Sequence, residues 1–224
     1  MIGASLSAVA IEFTIGAEES HKIGEVGAYR IRRWLDSTFR FRIDRSIYDL
    51  DAHGDPYPMM RLPQLAKIDP QTGDAVGRRF ERFDLRGMLL NEDGTPGRIL
   101  FVECKDYSEA GQQGALYDEY LAVCYSGFVK AGHDVEAPPD MEFMWATTHP
   151  FAQNRYAALT TAEQVKAACE KHPDRLGDEA FEMSTAEQLA PRLWLAIINR
   201  RVEEMMMGLV LRKAVVSAIE EVTA

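Results

Sequence analysis

Long apolar runs are missing from this 224-residue chain, so no segment reads as a membrane-spanning helix. The apolar stretch Ile2 to Ile11 has no Lys or Arg before it and Glu12 after it. It reads as a strand over residues 5–15 rather than a signal peptide. Cysteine is scarce: Cys104, Cys124 and Cys169 are odd in number and show no CxxC spacing. That argues against a disulfide framework and a cysteine-rich zinc site. The histidines (His21, His53, His133, His149, His172) lack HxH or HxxxH spacing, which disfavours a histidine-rich metal site. Neither GxxxxGK[ST] nor GxGxxG occurs, which disfavours P-loop hydrolysis and Rossmann cofactor binding. These absences lead us to expect a cytoplasmic protein with no membrane partner.

An excess of positive charge is also missing. The net charge is −10 and the pI about 5.0, which argues against a general basic nucleic-acid binder. The charge is uneven, however. Arg30, Arg32, Arg33, Arg40, Arg42 and Arg45 face only Asp36 and Asp44 in the same stretch, and Arg78, Arg79, Arg82 and Arg86 form a second group. Such runs are either a solvated, ion-paired face or a local phosphate-contacting surface.

What is present is 46% apolar side chains, enough for a sizeable core. The spacing predicts a helix over 22–35, with Ser20 as its cap. Residues 50–77 carry four prolines and several Asp and Gly, and read as an irregular excursion with short strands. Residues 81–90 and 98–105 read as strands joined by a turn at Asp93-Gly94. A helix over 111–131, an apolar strand over 141–148 and a helix starting near Phe151 follow. The order is that of an α/β domain with a mixed sheet, spanning 1–185. From Glu187 to the end, the leucines, Ile197 and Met205-Met206-Met207 suggest a helical extension over 186–224, with Pro191 near its start. It would pack on the domain itself, or form a dimer seam or docking surface for another protein.

In the strand ending at Lys105, Phe101, Glu103 and Lys105 share one face, and Leu100, Val102 and Cys104 the other. A two-residue turn at Asp93-Gly94 pairs residues whose numbers sum to 187, and so sets Asp84 opposite Glu103. Two facing carboxylates destabilise a sheet unless a cation such as Mg²⁺ lies between them. Lys105 would point into the same place, where an ammonium can position a water and stabilise charge on a phosphate. The E-x-K triplet alone carries little, since about one is expected by chance. Its place at the end of an apolar strand, across a hairpin from an acid, carries more. Cys104, on the other face, reads as core.

Glu25 on a first helix, then Asp84, then Glu103-Cys104-Lys105, then a helix, resembles the PD-(D/E)XK nuclease superfamily over roughly residues 22–150. The first motif here is Phe83-Asp84 rather than Pro-Asp. Gln113 and Tyr117 look like the QxxxY motif of its RecB-like branch, on one helix face at i and i+4, with Gln112 as an alternative. The resemblance implies a restriction-endonuclease-like mixed sheet flanked by helices and a Mg²⁺-dependent deoxyribonuclease, with Mn²⁺ as a substitute. Asp84, Glu103 and the carbonyl of Cys104 would hold the metal. Lys105 would orient the water, and Glu25 would assist, although a first-turn acid also suits the helix dipole. Gln113, Tyr117, Arg30 and Arg33 would contact substrate. By analogy, restriction, repair or phage defence is the expected setting. Two rival expectations remain: a non-catalytic or partner-dependent assembly subunit of the same fold, and an RNA or small-molecule phosphodiesterase on the same site.

Overall fold

The computed structural model describes residues 17–38, 40–55, 57–77, 80–106, 111, 113–133 and 139–198. The strand expected over 5–15, Arg78, Arg79, Gln112 and the three methionines at 205–207 lie outside them.

Helix α1 (Ala17–Ser37) buries Ala28, Ile31 and Leu35, a stripe at three- and four-residue spacing. It begins upstream of Ser20, which therefore lies inside the helix and is not its cap. Strand β1 (Phe41–Ser46) follows at once, and the Asp36 carboxylate accepts from the Ile43 backbone N–H at 2.8 Å, fastening the connection. The Pro-rich excursion holds β2 (Arg61–Pro63), β3 (Lys67–Ile68), β4 (Ala75–Val76) and β5 (Phe80–Arg82), in two small ribbons, β2 with β5 and β3 with β4.

Strands β6 (Leu85–Leu90) and β7 (Pro96–Lys105) form the expected hairpin. The pairs Leu85–Val102, Arg86–Phe101, Gly87–Leu100 and Met88–Ile99 follow the sum of 187, but Leu90 pairs with Pro96. The turn is thus not the two-residue one expected from Asp93-Gly94. A loop over Asn91 to Thr95 closes one residue tighter, and a β-bulge around Gly97 and Arg98 restores the register. Helix α2 (Gln113–Gly132) crosses to β8 (Met141–Thr147), which is parallel to β7.

The helix expected from Phe151 is a 3₁₀ segment, Gln153–Ala158, with a non-helical Arg155 inside it. The α-helix α3 (Ala162–Lys171) starts later, where the Thr161 hydroxyl accepts from the Gln164 N–H and supplies the cap. Helix α4 (Met183–Leu189) is short and runs into a 3₁₀ turn at Ala190–Arg192 that contains Pro191. The helix expected through Leu193 and Ile197 is instead strand β9 (Leu193–Ile197), parallel to β8 at the sheet edge. Leu189, Leu193 and Ile197 fit a four-residue spacing, but Leu193, Leu195 and Ile197 also fit a strand. Pairing to β8 decides between them, reinforced by the Trp194 indole N–H donating to Glu142 Oε2 at 2.7 Å. The rest of the expected extension lies outside the described residues.

The result is a mixed five-stranded sheet, β1-β6-β7-β8-β9, flanked by helices. Against α1 it packs Leu85, Leu100, Val102, Met144 and Ala146. Its other face, Phe83, Phe101, Phe143 and Trp145, meets Tyr117, Tyr120 and Leu121 of α2, with α3 and α4 beyond. β8 is buried on both faces, as a strand with two parallel neighbours and helices above and below should be. Among the described residues no helix is long and apolar enough to cross a membrane.

Candidate active site

The alternation of β7 turns Glu103 and Lys105 toward the α2 side, at the carboxyl end of the strand. Lys105 Nζ lies 2.7 Å from Glu103 Oε1 and 5.5 Å from the centre of the Trp145 ring. Asp84 sits in the bend just before β6, one residue beyond the last ladder pair, where Glu103 is the next residue of β7. Its Oδ2 accepts from the Cys104 backbone N–H at 2.7 Å. One peptide thus separates the carboxylate of Asp84 from the side chain of Glu103. Burial raises the carboxyl pKa of Asp84 above the usual range, against the Cys104 hydrogen bond and the Lys105 charge, which lower it. Burial, then the charge of Asp84, pushes Glu103 up to about 7, with Lys105 opposing. The Cys104 thiol faces the α1 layer, and burial holds it well above its usual pKa, so it is core and no nucleophile.

Mg²⁺ takes one or two carboxylates and fills its octahedron with waters and phosphate oxygens. Asp84 and Glu103 fit that demand, because their mutual repulsion is what a divalent cation relieves. Among the described residues no group of three or more His, Cys, Asp or Glu side chains comes together as a metal cluster. The fit therefore rests on the pair, with Cys104 offering backbone alone.

No family model, curated protein or solved structure matches this chain. Any functional reading stands on the residues themselves.

The other expected site residues are placed less simply. Glu25 is exposed on α1 and lines a separate groove with Tyr48 and Asp49. The Tyr48 phenol in that groove is pushed up to about 12 by burial and by the charges of Asp84, Cys104, Glu103 and Glu25. Arg30 is held at 2.7 Å by Asp106, and Arg33 is exposed. Gln113 and Tyr117 share a face of α2 and both are buried. The Gln113 amide donates to the His149 carbonyl at 3.2 Å and accepts from the Thr147 hydroxyl at 2.8 Å. The Tyr117 hydroxyl donates to the Leu159 carbonyl at 3.0 Å. These two residues fasten α2 to the end of β8 and the loop after it, with their polar atoms used inside the fold.

Asp106 was not singled out by the sequence, although it directly follows Lys105. Its Oδ2 pairs with Arg30 and its Oδ1 accepts from the Thr148 hydroxyl at 2.8 Å, so it ties α1 and the end of β8 to the end of β7. The approach of α1 requires Gly27, where a Cβ would lie 2.6 Å from the Asp106 Cβ. Arg175, also unanticipated, bonds Glu81 at 2.6 Å and Glu119. Only the fold brings these three together, since they stand on a 3₁₀ turn, β5 and α2.

Proposed function

We propose that the protein is a Mg²⁺-dependent nuclease of the restriction-endonuclease-like type, hydrolysing DNA phosphodiester bonds. The observation that carries this reading is the convergence of Asp84, Glu103 and Lys105 at the ends of the paired strands, two half-buried carboxylates beside one ammonium. Asp84, Glu103 and the Cys104 carbonyl would hold the cation, which supplies Lewis acidity to the phosphate and its attacking water. Lys105, whose Nζ bonds Glu103 Oε1 at 2.7 Å, would orient the water and offset charge at the phosphate. Asp106 keeps the Lys105 end of β7 in place.

Cleavage of plasmid and linear DNA with Mg²⁺, Mn²⁺ or EDTA tests the reading. Metal-dependent cutting by the wild type should fall at least about 100-fold in Asp84→Ala and Lys105→Ala. Undiminished cutting in both variants would remove this site from consideration. The pairing of the N-terminal arginines favours a second reading, a subunit that depends on a partner for DNA. Arg30 is held by Asp106, Arg32 by Asp49 and Arg42 by Asp44, all within the fold. In that case the wild type alone leaves DNA intact and cuts only when a basic partner is supplied.

A further inference from the structure

Four arginines stand in two directly opposed pairs. Arg61 faces Arg82 across β2 and β5, and Arg45 faces Arg86 across β1 and β6. Like charges so placed destabilise a sheet, as two carboxylates do. The chain carries 35 acidic residues against 25 Lys and Arg, yet none of the four has a carboxylate partner among the described residues. Arg30, Arg32, Arg42, Arg98 and Arg175 each have one. Uncharged side chains hold the four instead. The Arg61 and Arg82 guanidiniums lie 4.6 and 5.9 Å from the centre of one ring, that of Phe80. The Arg45 guanidinium lies 4.8 Å from the centre of the Tyr57 ring, and Arg86 Nη1 is 3.7 Å from Met59 Sδ. A ring or thioether restrains a guanidinium without neutralising it, and leaves N–H edges for an anion. The segment from Tyr57 to Arg61 touches both pairs and joins them into one surface. Arg45, Arg61 and Arg82 are exposed and Arg86 is half-buried, so that surface is open to solvent. It also flanks the acidic pair: Arg82 stands two residues before Asp84, and Arg86 two after it. Arg82 borders the cavity of about 180 Å³ beside Glu103 and Lys105.

We infer that this surface binds the backbone of one nucleic-acid strand, each arginine pair clamping one phosphate as the strand runs toward Lys105. Two guanidiniums that converge on one phosphate lose their mutual repulsion and gain charge-assisted hydrogen bonds. A phosphodiester turns two oxygens outward from a tetrahedral centre, one to each guanidinium. A carboxylate holds both of its oxygens in a plane that suits one guanidinium. The direction toward Lys105 rests on the nuclease reading, whereas the clamps stand on the arginines.

The test follows binding of a short labelled oligothymidylate to the full chain in EDTA, by fluorescence anisotropy, so that no metal takes part. Two double variants each remove one clamp: Arg61→Gln with Arg82→Gln, and Arg45→Gln with Arg86→Gln. Each should weaken binding at least about fivefold and make the logarithmic salt slope shallower by about 0.7. Lys130→Gln with Lys166→Gln, an equal loss of charge at exposed positions of α2 and α3, should bind within about twofold of the wild type. No binding by the wild type, or an equal loss in the lysine variant, would overturn the inference. Displacement of the strand by an oligoglutamate of equal charge and concentration would also overturn it, and would assign the surface to an acidic protein segment. Metal-dependent cleavage with unchanged KM in both arginine variants would leave the nuclease reading standing without the clamps. Arginine-dependent binding without metal-dependent cleavage would overturn the nuclease reading and leave the clamps standing.

Discussion

Glu103 makes the apo protein sensitive to pH in a direction opposite to that of an ordinary salt-bridged carboxylate. Its folded-state pKa, about 7, lies above the ordinary 4.5, so the folded chain binds the proton more tightly than the unfolded one. The stabilisation is fully present below about pH 4.5 and is lost as pH rises through 7. Thermal midpoints should fall across that window, and Glu103→Gln should flatten the fall. A divalent cation needs the ionised form, so Mg²⁺ should stabilise the wild type more at about pH 8 than at about pH 5. Equal stabilisation at both would argue that Glu103 is no ligand. Asp106 permits a second prediction. Its carboxylate is 9% exposed and holds both Arg30 and Thr148. Asp106→Ala removes the carboxylate that both the Arg30 guanidinium and the Thr148 hydroxyl bond, and should cost about 2 kcal/mol in urea unfolding. At this scale the sequence was readable where chemistry is local. The alternation of β7 places Glu103 and Lys105 together, and turn counting brings Asp84 to them. Gln113 and Tyr117 lie on one face as their spacing requires, yet nothing in a spacing says whether a polar atom points to substrate or to a carbonyl across the core. Asp106, Glu81, Glu119 and Arg175 acquire meaning only from contacts between distant segments.

Elements were legible to the extent that their patterns were unambiguous. The hairpin register follows the expected pairing from Leu85 to Met88 because two departures cancel, a tighter loop and a bulge. Strand β9 was missed because a short apolar run satisfies both a four-residue and a two-residue period, and tertiary pairing settles the choice. Helix α1 was found by its stripe, but its start was not, since Ser20 is a good cap and its use depends on where the preceding chain goes. Strand β1 offers the sharpest test of element packing. A Cβ on Gly87 would stand 2.1 Å from the Arg42 carbonyl oxygen, a clash with backbone that no rotamer relieves. Gly87→Ala should therefore cost at least about 3 kcal/mol and release β1 from β6. Hydrogen exchange would then show the β1 amides opening well before those of β7 and β8. Uniform protection across the sheet would mean that β1 shifts to accommodate the methyl.

For the molecule as a whole, a net charge of −10 and arginines already tied to carboxylates limit what the phosphate backbone can gain. Affinity for a single-stranded oligonucleotide should fall only gently with salt, with a logarithmic slope no steeper than about −2, as for three or fewer phosphates. Fluorescence anisotropy over a salt series measures it, and a steep slope would mean that many more phosphates are contacted. The reach of Arg175 carries another consequence, for the time at which the chain becomes competent. Its partners Glu81 and Glu119 are 94 and 56 residues away in sequence, and it borders the cavity beside Lys105. During synthesis, at roughly 5–20 residues per second, Asp84, Glu103 and Lys105 leave the ribosome seconds before the guanidinium that braces that wall. Strand β9 emerges later still. The growing polypeptide therefore carries its acidic pair in an unfinished frame, and the frame closes only when the last third of the chain has been made.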